Sequence, residues 1–204
     1  MEVDKNYRID ANFRWLGSEI KANEELCLTV CGIERCKPDK SYGPSVREDY
    51  HVHFVLHGKG TLEIGGKSYQ LRRGQIFVIP PDIETYYYSD PEDPWHYTWV
   101  SFGGTRAGYF LEKAGLTKEC PVRETYIEPE RFLEITEKIL NHHELTVANE
   151  LIRTSLLYEI IALLVESQYE NRDDKDKTEV YDYSPEIYVN TALEYMHEHY
   201  SNTR

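Results

Sequence analysis

The stretch LHGKGTLEIGGKSYQLRRGQIFVIPP, Leu56–Pro81, places its chain-bending residues at regular intervals. Gly58 and Gly60 open a hairpin. Gly65-Gly66 can supply the positive φ that a two-residue β-turn demands. Gly74 bends the chain ahead of Gln75–Ile79, and Pro80-Pro81 end that strand, because proline has no N–H for a ladder. Each glycine alone is a weak signal; the set is improbable by chance. Working outward, Leu26–Gly32, Tyr50–Gly58, Thr61–Leu71, Gln75–Pro80, Thr85–Ser89 and His96–Phe102 are rich in β-branched and aromatic residues and are separated by Gly, Pro and Asp. Many short antiparallel strands at close spacing predict a small barrel or sandwich.

Aromatic side chains crowd the next segment: Tyr86, Tyr87, Tyr88, Trp95, Tyr97 and Trp99, with Phe102 close behind. Trp95, Tyr97 and Trp99 alternate along one strand and so point to one face. Such rings fill a core, or they line a pocket. Tyr and Trp carry polar atoms that need partners when buried. A lumen of such rings suits a sugar, whose C–H faces stack on indole while its hydroxyls meet phenols.

The second half changes period. Phe132, Ile135, Ile139 and Leu140 share one helical face. Val147, Ala148, Leu151, Ile152, Leu156, Ile160, Leu163 and Leu164 form a broader stripe. That breadth predicts a helix, Val147–Gln168, that contacts both its own barrel and a second copy, with Leu156 and Ile160 at the dimer contact. Residues 170–184 are polar and charged and read as a linker. Ser184 and Pro185 then open a helix with Ile187, Val189, Ala192, Leu193 and Met196 on it. One amphipathic helix cannot bury its face alone, so residues 185–204 read as the start of a second, truncated domain.

The net charge is −13 over 204 residues. Nucleic-acid-binding modules show a basic patch or stripe, so the chain as given is not expected to hold DNA or RNA. No apolar run reaches membrane-spanning length and the N-terminus has no signal-peptide character, which predicts a cytoplasmic protein with no membrane partner. Cys27, Cys31, Cys36 and Cys120 form no CxxC pair and read as free thiols.

The pattern V-x-x-G-x-G…G-x-x-x-x-L-x-x-G-x-x-x-x-x-P-P resembles the cupin barrel. Many cupins are metal enzymes, and a cupin-fold metal enzyme acting on a small sugar or metabolite is the alternative reading. Counting back from Gly58, however, His51 stands where the cupin glutamate would be. Thr85 and Tyr86 stand where its later histidine would be. His51, His53 and His57 alternate on one strand face, yet His51 and His57 would lie about 20 Å apart, too far to share one ion. No metal or other cofactor is expected.

Cys31–Gly104 also resembles the effector-binding domain of AraC-family transcription regulators, in the branch that controls sugar operons. The resemblance rests on C-G-x-E-x-C, Y-G-P-x-x-R, V-L-x-G-x-G and D-P-W-x-Y-x-W-x-x-F as they stand here. It implies a mainly β, cupin-like jelly-roll barrel followed by an α-helical dimerisation unit. It divides the chain into an N-terminal arm (1–25), which could close over the pocket through Phe13 and Trp15, the barrel (26–128), dimerisation helices (129–169), the linker (170–184) and the first helix of a helix-turn-helix domain (185–204). The implied function is non-enzymatic sensing of a mono- or oligosaccharide by a homodimer that meets DNA only through the missing C-terminal domain. In the family's arabinose-responsive member the sugar lies inside the barrel against an arginine, aromatic rings and a histidine. Carried onto this sequence, the site comprises Tyr87, Trp95, Tyr97 (in the histidine's place) and Trp99. Arg47, or else Arg35, supplies the arginine, and Glu34 is a further polar group.

Overall fold

A computed structural model describes residues 6–17 and 24–169, together with the helical positions Val189, Leu193 and Met196. The chain separates into two compact units, 1–171 and 172–204. The expected linker and nearly all of the expected terminal helix lie outside the described residues.

The first unit is built on two antiparallel sheets. The larger has the order β1 (Tyr7–Ile9), β2 (Phe13–Gly17), β3 (Cys27–Arg35), β10 (His96–Gly103), β5 (Tyr50–His57), β8 (Gln75–Ile79) and β11 (Val122–Glu124). The smaller has the order β4 (Ser41–Ser45), β9 (Thr85–Ser89), β6 (Lys59–Ile64) and β7 (Lys67–Arg72). The β6–β7 turn is Gly65-Gly66, both at positive φ, as the sequence predicts. Three helices follow or interrupt the strands: α1 (Ala107–Lys113), α2 (Pro129–Asn141) and α3 (Val147–Tyr169).

Strand alternation makes two cores from one sheet. Val52 and Phe54 of β5, Ile76 and Val78 of β8, and Val100 and Phe102 of β10 face the helices. Val55, Phe77, Ile79, Tyr97 and Trp99, from the same strands, face the barrel lumen. Phe54 stacks on Phe132 of α2, ring centres 4.1 Å apart. Both cores together make the strands apolar on both faces, which is why β5 and β8 read as near-continuous hydrophobic runs.

Helix α3 buries Arg153, Leu156, Leu157, Ile160, Ile161 and Leu164, one face at helical spacing. Leu156 and Ile160 are 9% and 0% exposed and belong to the protomer's own core. Their expected place at a dimer contact is therefore corrected. The broad stripe is consumed by packing against the back of the large sheet and α2, and what α3 leaves in solvent is Val147, Leu151 and Ile152. The buried Arg153 donates from Nη1 to the carbonyls of His142 and Glu144, fixing the turn between α2 and α3. Arg123 of β11 donates to the Leu164 carbonyl and to Ser167, tying the sheet edge to α3.

Part of the expected N-terminal arm is ordinary sheet. β1 and β2 pair with each other, and β2 pairs with β3, Phe13 opposite Glu34 and Trp15 opposite Gly32.

Candidate functional site

A cavity of about 360 Å³ opens at one end of the barrel. Its floor is aromatic and buried: Tyr87, Trp95 and Tyr97 are 6%, 1% and 4% exposed. Cross-strand pairing sets the polar part. Tyr97 of β10 lies opposite Glu34 of β3, and the Tyr97 hydroxyl donates to Glu34 Oε2 at 2.9 Å. Cys36 stands beside this pair, and burial, then the Glu34 carboxylate, push its thiol up to about 12. It is a neutral wall group, with none of the thiolate character that nucleophilic chemistry requires. Burial, then Tyr87, Cys36 and Glu34, likewise raise the Tyr97 phenol well above its ordinary value, so it is a hydrogen-bond donor at any ordinary pH.

The rim is more exposed. It consists of Asp10 and Phe13 from the N-terminal hairpin and of Lys40, Ser41 and Tyr42 at the start of β4. Tyr42 pairs with Tyr87 across β4–β9, and their rings stack with centres 5.5 Å apart. Phe13 packs toward Trp99, centres 6.0 Å apart.

Of the residues expected at the site, Glu34, Tyr87, Trp95 and Tyr97 line the cavity. Arg47 and Trp99 stand outside its lining and support it. The Arg47 guanidinium lies 4.4 Å from the Tyr42 ring centre and its Nη2 is 3.4 Å from the Tyr87 hydroxyl. Trp99 packs between Phe13 and His53. It lies flat over Gly32, where a Cβ would overlap the indole and the Arg14 carbonyl. Arg35, the alternative arginine, sits beside His96 at the end of β3–β10 and lines a smaller surface recess. Cys36, Lys40 and Tyr42 are lining residues that the sequence reading did not place at the site, although Cys36 closes C-G-x-E-x-C and Tyr42 opens Y-G-P-x-x-R; Phe13, expected there as part of the N-terminal arm, lies at the rim.

A larger groove, about 730 Å³, runs over the outside of the small sheet past Gly43, Glu63, Gly65, Gly66 and Glu84. The inward-facing rings do not reach it, and its size alone does not make it the site.

Below the cavity floor the lumen holds His51 and His53. His53 stacks on Phe77, centres 4.3 Å apart, and contacts Tyr87, Tyr97 and Trp99 edge-on or face-on. Ser101 Oγ and His51 Nδ1 are 2.5 Å apart. Burial, then Arg47, pulls His51 down to about 3; burial, then His51 and Arg47, holds His53 well below its ordinary value. Both are neutral when folded. Their contribution to stability is therefore complete above about pH 6.5 and is lost as pH falls below it, because the unfolded chain takes up protons that the folded one refuses. From pH 7 to pH 5 the expected loss from His51 is about 2 kcal/mol, and His53 adds to it in the same direction. A fall in the urea midpoint over that range checks this, and His51→Gln should flatten it. An unchanged profile in that variant would remove His51 from the account.

Among the described residues, no group of three or more His, Cys, Asp and Glu side chains is placed to hold a metal ion. No helix among them is long and apolar enough to cross a membrane.

The described residues thus form a two-sheet antiparallel barrel with a ring-lined lumen, backed on its larger sheet by helices. Residues 28–161 match the AraC-like ligand binding domain, and the chain belongs to that family. Relatives include the Msm operon regulatory protein of Streptococcus mutans, 30% identical over 89% of this chain and 63% of that protein. The raffinose operon transcriptional regulatory protein RafR of Pediococcus pentosaceus is 29% identical over 83% of this chain and 60% of that protein. The lactose operon transcription activator of Staphylococcus xylosus is 25% identical over 68% and 50%. The chain thus spans at most 63% of the length of these relatives. Among solved structures, similarity reaches Bacillus subtilis oxalate decarboxylase, at 16% identity, TM-score 0.38, over 57% of this chain and 36% of that one. It also reaches KdgF from Halomonas sp., at 16% identity, TM-score 0.33, over 47% and 84%.

Proposed function

We propose that this chain is the effector-sensing part of a DNA-binding transcription regulator of carbohydrate metabolism, and that its effector is a sugar held in the barrel cavity. The observation that carries the reading is the Tyr97–Glu34 pair. It places a carboxylate and a phenol at the wall of an aromatic pocket, a geometry that serves vicinal hydroxyls on an apolar ring face. The names of two relatives, which refer to a raffinose and a lactose operon, support it. In this reading the domain acts by binding its ligand.

The signal travels as a population shift: the sugar binds one arrangement of the domain better than another and so biases it. Strand β2 touches both ends of such a route. Phe13 lines the cavity. Its neighbour Arg14 donates to Asn141 Oδ1 at 2.9 Å, at the end of α2, and to the Tyr7 hydroxyl, and the Tyr7 ring stacks on His143. The domain works as a homodimer, and the exposed Leu145, Val147 and Leu151 at the start of α3 are the apolar side chains available to a second copy. DNA contact belongs to a domain beyond residue 169.

Tyr97→Phe tests the site with little change in volume. It removes the hydroxyl that orients Glu34. A hydrogen bond to a charged group contributes about 1.5–3 kcal/mol, so sugar affinity should fall roughly tenfold or more. The readout is sugar-induced thermal stabilisation across neutral mono- and oligosaccharides, which follows RT ln(1 + [L]/Kd). Unchanged affinity for the sugar that stabilises the unmodified protein would reject the site.

A further inference from the structure

We propose that the cavity is a two-ring site for an uncharged oligosaccharide: one sugar unit rests on the buried floor, and the next lies at the exposed rim against Phe13 and Tyr42. This rests on the reading of the chain as a sugar sensor and adds the length and charge of the effector.

The lining sorts into two tiers. Tyr87, Trp95 and Tyr97 form a floor that solvent barely reaches, while Tyr42 is 45% exposed and Phe13 half-buried. The floor has the polar groups that one sugar unit needs. Glu34 accepts hydrogen bonds. The Trp95 N–H, on a residue 1% exposed, is turned to the Cys36 sulfur, a weak acceptor, and away from the open cavity.

The rim is held in place before any ligand arrives. Tyr42 lies parallel to Tyr87, interplanar angle 13°, with the Arg47 guanidinium against it. Phe13 is fixed by β2–β3 pairing and by Trp99. Two ordered aromatic side chains at a solvent-facing mouth, next to the hydroxyl of Ser41, offer a second sugar unit contact area with little ordering left to do. The volume, about 360 Å³, falls within the about 300–1,000 Å³ typical of small-molecule sites, and the mouth lets further units project into water.

Charge fixes the class. Among the described residues the lining carries the carboxylates of Asp10 and Glu34 against the ammonium of Lys40, and Arg47 is spent on Tyr42 and Tyr87 outside the lining. A phosphorylated or acidic sugar would bring its anion against Glu34. The effector is therefore an unphosphorylated sugar.

The test is calorimetric titration of the full chain and of Tyr42→Ala with glucose, galactose, arabinose, lactose, maltose, melibiose, raffinose, glucose 6-phosphate and galactose 6-phosphate. At least one di- or trisaccharide should bind about tenfold or more tighter than its component monosaccharides, and the sugar phosphates should not bind. Tyr42→Ala should lower the oligosaccharide affinity about tenfold and the monosaccharide affinity by clearly less, since Tyr42 also backs Tyr87 of the floor, with Tyr42→Phe restoring both. Equal affinity for mono- and oligosaccharides, equal losses for both in Tyr42→Ala, or tighter binding of a sugar phosphate each overturns the two-ring site while the sensor reading stands. Binding of none of these sugars overturns both.

Discussion

Ile160→Glu is expected to unfold the protein, not to separate two copies of it. Ile160 is 0% exposed and packs in the core that α3 shares with α2 and the back of the large sheet. Removing a buried aliphatic side chain of this size costs about 2–5 kcal/mol. The carboxylate put in its place is either buried unpaired or forced to stay protonated, which costs several kcal/mol more. Set against a total stability of about 5–15 kcal/mol for a domain, the sum is enough to populate the unfolded state at room temperature. Thermal melting followed by circular dichroism reads it directly: the cooperative transition should disappear or move far down. A variant that keeps its melting temperature and merely halves its mass in light scattering would return Ile160 to an interface. Leu151→Glu is the proper probe of association, since Leu151 is 66% exposed and a surface change there should move stability by no more than about 0.5 kcal/mol.

That contrast shows where sequence reasoning stops. Periodicity identified α3 and the apolar stripe on it, because an amphipathic pattern depends only on the helix's own geometry. It cannot say what covers the stripe. Val147, Leu151 and Ile152 look like Leu156 and Ile160 in a helical projection, and only the packing of α2 and the sheet decides which of them is left in solvent. The strands from Tyr50 to Phe102 were legible for the same local reason: glycines and prolines at turn positions, with β-branched and aromatic residues between them. The missed elements lack that signature. β4 is Ser41–Ser45, with a glycine and a proline inside it; β1 and β11 have three residues each; α1 is seven residues. They exist because a neighbouring strand or the core holds them.

The site was half legible in the same sense. Alternation correctly put Tyr97 and Trp99 on one face, but not at one depth. Two residues along a strand are about 7 Å, so Tyr97 meets the cavity while Trp99 stands one step further along β10, over Gly32 and beside His53. Phe13 and Tyr42 reach the mouth only because β2 pairs with β3 and β4 with β9, pairings that span large sequence separations and leave no local mark.

Trp95→Ala should lose both the fold's margin and the ligand. The indole is 1% exposed and lies against Phe77, Tyr87 and Tyr97, with ring centres 5.9, 6.1 and 5.5 Å away. Beneath it is Gly60, where any Cβ would overlap the ring, so no side chain from below can refill the space. A large aromatic truncated in such a place costs about 3–5 kcal/mol. For a chain of this size each kcal/mol moves the melting temperature by about 2–4 °C, so the expected fall is roughly 6–20 °C. The same truncation removes the floor of the cavity, and sugar-induced stabilisation should vanish even at temperatures where the variant is folded. Together with Tyr97→Phe, it separates the two roles of the aromatic cluster. Tyr97→Phe should weaken binding at a smaller cost in stability, at most the about 1.5–3 kcal/mol of its hydrogen bond to Glu34, because it deletes a polar handle and keeps the packing. Trp95→Ala should lower both, because the ring is at once core to the barrel and wall to the cavity. If Trp95→Ala melted within about 2 °C of the unmodified protein, the ring would not be a structural floor, and the placement of the cavity upon it would fail with it.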